Sequence, residues 1–591
     1  MRILRVLRQS ISTLFTVCVA VTICATKVAL AENQALTEAE YRNLATWDAV
    51  SMTLMVNLTG SVPIYSGTMR LKSSVASTHG PVLILNGRDV SMKMLDVKIS
   101  NPEAVPEYSV VMNVAAPGER KATLSAIRFV EPIPAATEIE ISFDYEFVTE
   151  QGQVIHRPEL EYASWVTGWY PTPIGDGEGL RTIESLSSSG QVSFVLPRDW
   201  HVLSNGRLIE DTAIGNFRQQ TWSTDDALAW SYIAAPFTVS TVNVGDVDVS
   251  MYMLNDDHKA VDEMASMIAK IIDLLEDNFG NYPFKTFGLA EIPDLTSDYF
   301  GASSEQGFIV AESKNFTNRF GLTLFSHEVG HAWWGNKFSC TGDGSSLCSE
   351  AMAQIGTILG TELLFGEKAM RDMMEVSEID YTPYQSARGF FAMWRSDEAI
   401  PLSEVSGWHI HRLMDSKGMW FWQMLREEVG DEKFFGVLRS LSGGELVDPT
   451  LVELEDYFSQ ETDQDLSVFF DQWLNRAGAP VINMEWHGIN PVGKNEWRND
   501  AMHETIIFAN EEGQKQVSIT LTQEQKELYK LNPEVRLEFF RSPAIVRTLD
   551  LSERQQTYVF DVEGMIKNVV LDPEHKILMW RPAYGPKPDL N

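Results

Sequence analysis

Phe325-Ser326-His327-Glu328-Val329-Gly330-His331-Ala332-Trp333-Trp334-Gly335-Asn336, followed after a Gly/Ser-rich interval by Ser349-Glu350-Ala351, is the stretch that decides how this chain is read. His327-Glu328-Val329-Gly330-His331 is a HExxH pattern inside an apolar run of helical character, expected over 321–334. Residues four apart lie on one helix face, so both imidazoles can reach one metal ion. Glu328, the next residue along, can take a proton from a water activated at that ion. Glu350 stands nineteen residues after His331, in a second helical stretch (351–365) that can run antiparallel to the first and offer a third ligand. Two His and one Glu with a fourth position left open make the catalytic kind of zinc site. The expectation is one zinc ion held by His327, His331 and Glu350, with Glu328 as catalytic base. Two core histidines beside a solvated Glu are the competing reading.

Outward from this stretch the hydrophobic period changes twice. From about 45 to 255 short alternating runs at 51–58, 81–85, 138–147, 193–196 and 247–254 read as strands. From 256 the period turns helical: Val261, Met264, Ala265, Ile268, Ile271, Ile272 and Leu275 form one apolar face. Further helical patterns cover 417–429 and 466–476. After Pro480 alternation returns at 504–508, 516–521, 535–540 and 557–562. The fold class is multidomain α+β: an N-terminal all-β domain at 32–255, an α-rich domain at 256–479 and a β domain at 480–591. A length of 591 residues accommodates this, since domains run to about 100–200 residues each.

The chain has 47 Lys+Arg against 82 Asp+Glu, a net charge of −35. Nucleic-acid phosphates need a basic footprint, so that class of partner is excluded. With 44% hydrophobic and 22% charged residues the chain can build a core. Arg2, Arg5 and Arg8 precede an apolar stretch at 11–25, and Ala29-Leu30-Ala31 offers the small residues of a cleavage site. Residues 1–31 read as a cleaved secretory signal, with an uncleaved N-terminal anchor as the alternative. No later stretch is long and apolar enough to span a bilayer. The expected location is therefore outside the cytoplasm, periplasmic or secreted. Cys340 and Cys348, the cysteines that remain beyond the signal, can close a small disulfide in an oxidising compartment. Two free thiols are the alternative.

His327-Glu328 with His331 and Glu350, together with Trp333-Trp334-Gly335-Asn336, resembles the gluzincin signature of the aminopeptidase N family of zinc metallopeptidases. Tyr282-Pro283-Phe284 with Ile292-Pro293, and Trp473-Leu474 with Gly478 and Pro480, look like segments of its catalytic domain. Ser204-Asn205-Gly206 and Asp572-Pro573 resemble elements of its flanking β domains. The resemblance implies a saddle-like N-terminal β domain, a thermolysin-like catalytic domain and a C-terminal β-sandwich, without the large helical domain of longer members. It also implies peptide substrates with a free N-terminus.

The departures are specific. The family's GxMEN strand corresponds to Ala302-Ser303-Ser304-Glu305-Gln306, where Glu305 fits the residue that grips the substrate amine and Gln306 stands for the Asn. The bland reading of Glu305 is a solvated loop carboxylate. The flanks of Glu350 are changed to Ser346-Leu347-Cys348-Ser349. The family's Tyr, two residues before a Lys-Gly pair, donates to the oxyanion; here Lys417-Gly418 follows Asp415. An ionised carboxylate cannot donate. Asp415 if protonated, His411 one turn earlier, or Tyr381 and Tyr384 are the candidate substitutes. The family's Gln-containing segment is replaced by 165–173. Two functional expectations follow. The first is an exported zinc aminopeptidase. The second is a zinc-bearing but weak or inactive relative that binds peptides. Trp333, Trp334, Trp420 and Trp422 read as packing rather than as a substrate box.

Overall fold

The computed structural model describes residue 37 and residues 47–590, except 74–81, 86–90, 102–104, 116–122, 150–153, 174–187, 245–246, 255–257, 295–300, 317–318, 377–384, 490–495 and 500–515. The signal segment 1–31, the strand expected at 504–508, and Tyr381 and Tyr384 lie outside the described residues. The chain divides into two compact units between Pro236 and Phe237.

The first unit is sheet-rich. Its largest sheet has seven strands in the order Arg207–Ile214, Phe217–Leu228, Ser188–Pro197, Trp47–Asn57, Ile64–Ser73, Glu138–Thr149 and Ser91–Ile99. Trp47–Asn57 and Ser188–Pro197 run parallel, and the other neighbours antiparallel. Period-two alternation decides the faces: along Ile64–Ser73, Tyr65, Met69 and Leu71 turn inward between more exposed neighbours. Trp165–Thr167 is a single 3-10 turn, and Trp169 behind it is fully buried with its indole N–H on the Trp230 carbonyl at 2.7 Å. That stretch is spent on packing within this unit.

The second unit begins with a five-stranded sheet, in the order Thr238–Val244, Val247–Met253, Thr286–Ile292, Phe308–Glu312, Ala302–Glu305. The middle three strands are parallel and the outer pairs antiparallel. Strands 238–244 and 247–253 therefore bond into this sheet, so the period change near 256 falls inside the second unit. Helix α1 (His258–Phe279) buries Val261, Ala265, Ile268, Ile271, Ile272 and Leu275, as its stripe requires. Helices α2 (Arg319–Gly330), α3 (Glu350–Phe365), α4 (Glu367–Val376), α5 (Ala387–Arg395) and α6 (Met419–Val429) follow. Two small sheets, of four and three strands, close the chain. The apolar core of the helices continues without a break into Val517, Ile519, Leu537, Leu551 and Tyr584. This shared core is why the C-terminal sheets belong to the same compact unit. Among the described residues no helix is long and apolar enough to cross a membrane.

Two helices differ from their expected bounds. Helix α2 stops at Gly330, because the chain turns through Gly335 at φ 102°, with the Gly335 N–H on the Phe338 carbonyl at 2.8 Å. The helix expected from 417 is instead continuous with Ile410–Leu413 through a π-helical turn, Met414–Gly418. Such turns leave no mark in a hydrophobic pattern.

Candidate metal centre

The α2/α3 pair fixes the centre. A Cβ on Gly356 would lie 2.6 Å from the Ser326 carbonyl oxygen, and one on Gly330 would lie 3.1 Å from the Ala353 oxygen. The helices therefore touch backbone to backbone, and the contacts (326 with 356, 330 with 353) run antiparallel. The sheer apolarity of α3, buried continuously from Ala351 to Thr361, holds it there. His331 lies one residue beyond α2, yet its amide still donates to the His327 carbonyl at 3.1 Å, so the four-residue spacing survives. Glu350 is the first residue of α3.

The three side chains converge. His327 Nε2 and His331 Nε2 are 3.0 Å apart, and Glu350 Oε2 is 3.6 and 3.5 Å from them. Tetrahedral zinc with bonds of about 2.0–2.1 Å separates its ligand atoms by about 3.3 Å. The triangle fits that edge to a few tenths of an ångström. Glu350 Oε2 is buried and has no hydrogen-bond partner among the described residues, so a role as metal ligand would satisfy it. Trp334's carbonyl, which can only accept, lies 2.9 Å from His331 Nδ1. It fixes the proton there and leaves Nε2 as the ligand. His327 Nδ1 is buried with no partner among the described residues. The donor set, two imidazoles and a carboxylate, suits zinc.

The electrostatics agree with a cation site. Burial depresses the His331 imidazole, but Glu350 more than reverses this and carries it up to about 9. Burial would raise Glu350, yet the imidazoles around it hold it well below the usual carboxylate range. A proton and a metal ion thus compete for the centre. Glu328 is buried, which raises its carboxyl above the ordinary value against the pull of His327 and His331.

Glu305 ends the strand Ala302–Glu305, in a hairpin whose two-residue turn, Gln306-Gly307, uses Gly307 at φ 94°. It is 1% exposed, so it is no solvated loop carboxylate, and Ser303 Oγ donates to its Oε1 at 3.3 Å. The strand is sewn to the ligand helix. Ser304 Oγ donates to the Glu328 carbonyl at 3.0 Å, Asn336 Nδ2 to Ser304 Oγ and the Glu305 carbonyl, both at 3.3 Å, and Gln306 Nε2 to the Asn336 carbonyl at 3.0 Å. Asn336 closes the Trp-Trp-Gly-Asn run, so its presence was legible while its clamping role was not. Trp333, Trp334, Trp420 and Trp422 are all buried packing.

Asp415 lies in the π-helical turn and is 2% exposed. Gln385 Nε2 donates to its Oδ2 at 3.0 Å, a partner that nothing in the sequence announced. Gly418 lets this turn reach α3, since a Cβ there would lie 2.7 Å from Ala351 Cβ. His411 Nδ1 consequently stands 3.5 Å from Glu350 Oε2. Lys417 is buried and donates to the Arg476 carbonyl, an anchoring role. Cys340 and Cys348 form a disulfide, with Cys348 two residues before Glu350.

No protein-family model matches the chain. Aminopeptidase N of Lactococcus lactis subsp. lactis is 23% identical over 319 residues, 48% of this chain and 34% of that enzyme. The crystal structure of Legionella pneumophila aminopeptidase A in complex with aspartic acid superposes with a TM-score of 0.65 at 15% identity, covering 92% of this chain and 60% of that one. The chain thus spans about a third of the length of the first relative and three fifths of the second. In sequence and fold it is a divergent relative of the aminopeptidases.

Proposed function

We propose that this chain is an exported zinc metallopeptidase of aminopeptidase type, acting on peptides with a free N-terminus. The observation that carries the reading is the His327–His331–Glu350 triangle, with a buried Glu328 beside it. His327, His331 and Glu350 would hold one zinc ion. When bound, zinc supplies Lewis acidity toward a carbonyl oxygen and toward water. Glu328 accepts the water's proton and returns it to the leaving amine. Its burial favours both duties, because a raised pKa brings the carboxylate closer to the protons it must exchange. Glu305 binds the substrate's ammonium by a charge-assisted hydrogen bond, selecting cleavage at the N-terminus. The sheet-rich first unit, the helical middle and the C-terminal sheets correspond in this reading to a saddle-like domain, a thermolysin-like domain and a β-sandwich. The disulfide supports an oxidising destination.

A second reading, a zinc-bearing relative that binds peptides without cleaving them, draws on Asp415 and on the changed flanks of Glu350. The retained Glu328 favours the first reading. The purified, zinc-quantified protein assayed on aminoacyl fluorogenic substrates, beside Glu328→Gln, separates the two. Hydrolysis that falls by about 10²- to 10⁴-fold in the variant, with zinc retained, supports the enzyme. Equal and negligible rates in both would leave the binding module.

A further inference from the structure

Asp415 is buried with one oxygen filled and the other open among the described residues. One of its oxygens, Oδ2, takes the Gln385 amide at 3.0 Å. The other, Oδ1, is buried and has no partner among the described residues. His411, four residues earlier, leaves its Nδ1 3.8 Å from Asp415 Oδ2, beyond hydrogen-bonding range. The same nitrogen is 3.5 Å from Glu350 Oε2, the oxygen that also lacks a hydrogen-bond partner. One ligand atom from each of Glu350, His411 and Asp415 lies within 4.8 Å of the other two.

An imidazole–carboxylate ion pair is the simpler account, since His411 and Asp415 are four apart on a helical segment. With Glu350 Oε2 serving the first centre, it still leaves Asp415 Oδ1 buried without a donor among the described residues, a cost of about 1–3 kcal/mol. The two edges at His411, 3.5 and 3.8 Å, with the third below 4.8 Å, instead lie near the ligand-to-ligand separation of about 3.3 Å around a small divalent ion. The His411 side chain is 75% exposed, so one flank is open for water to complete a coordination shell. Gln385 orients the Asp415 carboxylate as outer-shell donors orient metal ligands.

We infer that Glu350, His411 and Asp415 form a second divalent-cation site, which shares Glu350 with the His327–His331–Glu350 centre. The inference rests on the zinc reading of that first centre. A shared carboxylate holds two ions about 3.5–4 Å apart, the spacing of two-metal hydrolases. The donor set of two carboxylates and one imidazole accepts zinc, cobalt or manganese. Its consequence for the reaction is direct. A positive charge here would stand where the resembling family places a hydroxyl, so an ionised Asp415 becomes an asset instead of a repulsion.

The test is a metal count on the full mature chain, loaded with excess zinc, desalted and measured by elemental analysis beside Asp415→Asn, His411→Ala and His331→Ala. Two ions in the unaltered chain, and one in Asp415→Asn and in His411→Ala with unchanged circular dichroism, are the expected result. One ion in the unaltered chain and in both variants overturns the second site and leaves the first intact. Two ions in all of these place the extra ion elsewhere and also overturn it. No ion in the unaltered chain brings down both sites, and His331→Ala identifies whether an ion that binds uses the first. Cobalt(II) loading gives an independent readout: magnetic coupling between paired ions, lost in Asp415→Asn.

Discussion

Glu375 and Glu350 stand on neighbouring helices, the first beside one histidine and the second among three, yet those imidazoles are held at different distances. Glu375 Oε2 receives the Tyr584 hydroxyl at 2.6 Å, and Oε1 lies 2.7 Å from His575 Nδ1. Its neighbour Asp572 is filled as well, by the Lys576 and Ile577 amides at 2.9 and 3.1 Å and by Arg581 at 2.7 Å. Around Glu350 the nearest imidazole nitrogens stop at 3.5–3.6 Å. The first cluster brings its charged partners to contact distance, although Glu375 Oε1 makes no hydrogen bond of good geometry among the described residues, and it joins α4 to the C-terminal residues. The second is left open at hydrogen-bond distance, in a core where open polar atoms are costly. A polar cluster that a fold completes alone reads as structure, and one it holds apart reads as a place for something else.

That contrast can be broken or sharpened by substitution. The largest effect belongs to His331→Ala, which removes one of three ligands. Zinc affinity should fall by more than about 100-fold, the upper range for loss of an outer-shell residue. Equilibrium dialysis against a chelator checks this, and undiminished affinity would make the open cluster merely a strained ion pair. Next comes Cys348→Ser. Opening the Cys340–Cys348 bridge, whose cysteines are eight positions apart, costs about 2–3 kcal/mol of chain entropy. It also frees the residue pair before Glu350, so zinc occupancy should drop together with the melting temperature. Unchanged occupancy would separate the bridge from the centre. Gly356→Ala follows, at about 1–3 kcal/mol for overpacking against the Ser326 carbonyl. Denaturant titration with and without zinc should find the loss larger in the loaded protein, because the ligand gap widens.

The smallest effect tests the closed cluster. Burial opposes the charge on Glu375, but bonds from His575 and Tyr584 and the nearby Arg581 hold its carboxyl below the ordinary value. A depressed folded pKa contributes stability above the unfolded value, near 4.3, and that contribution disappears as pH falls through the folded one. Glu375→Gln should therefore cost about 1 kcal/mol at neutral pH, and the gap to the unaltered chain should close in acid. Melting curves from pH 7 to pH 3 read this directly. A constant gap would show that the carboxylate's charge is not what matters there.

The sequence carried the local relations well and the distant ones poorly. The α1 stripe, the alternation of the strands and the His327/His331 spacing each depend on residues within one element, so a period exposes them. Glu350 was legible because its interval from His331 is itself a pattern. Gln385 beneath Asp415, Asn336 across the 302–305 strand and the proximity of His411 to Glu350 depend on which elements meet, and no period encodes that. The π-helical turn at 414–418 was equally hidden, since it changes backbone bonding without changing polarity. Strands 238–253 carry the same alternation as those before them, and only their sheet partners place them in the second unit.

The bare-backbone seam between α2 and α3 has a consequence for how this chain can vary. In a saturation library scored for metal retention, position 356 should appear as a sparse column dominated by glycine, and position 330 as one that admits little beyond alanine, although neither touches the ion. The liganding residues would have looser neighbours than this seam. Affinity for the ion is then an inherited dimension, the gap between two chains of peptide bonds, and selection that tunes the centre must work at the ends of the helices rather than along them.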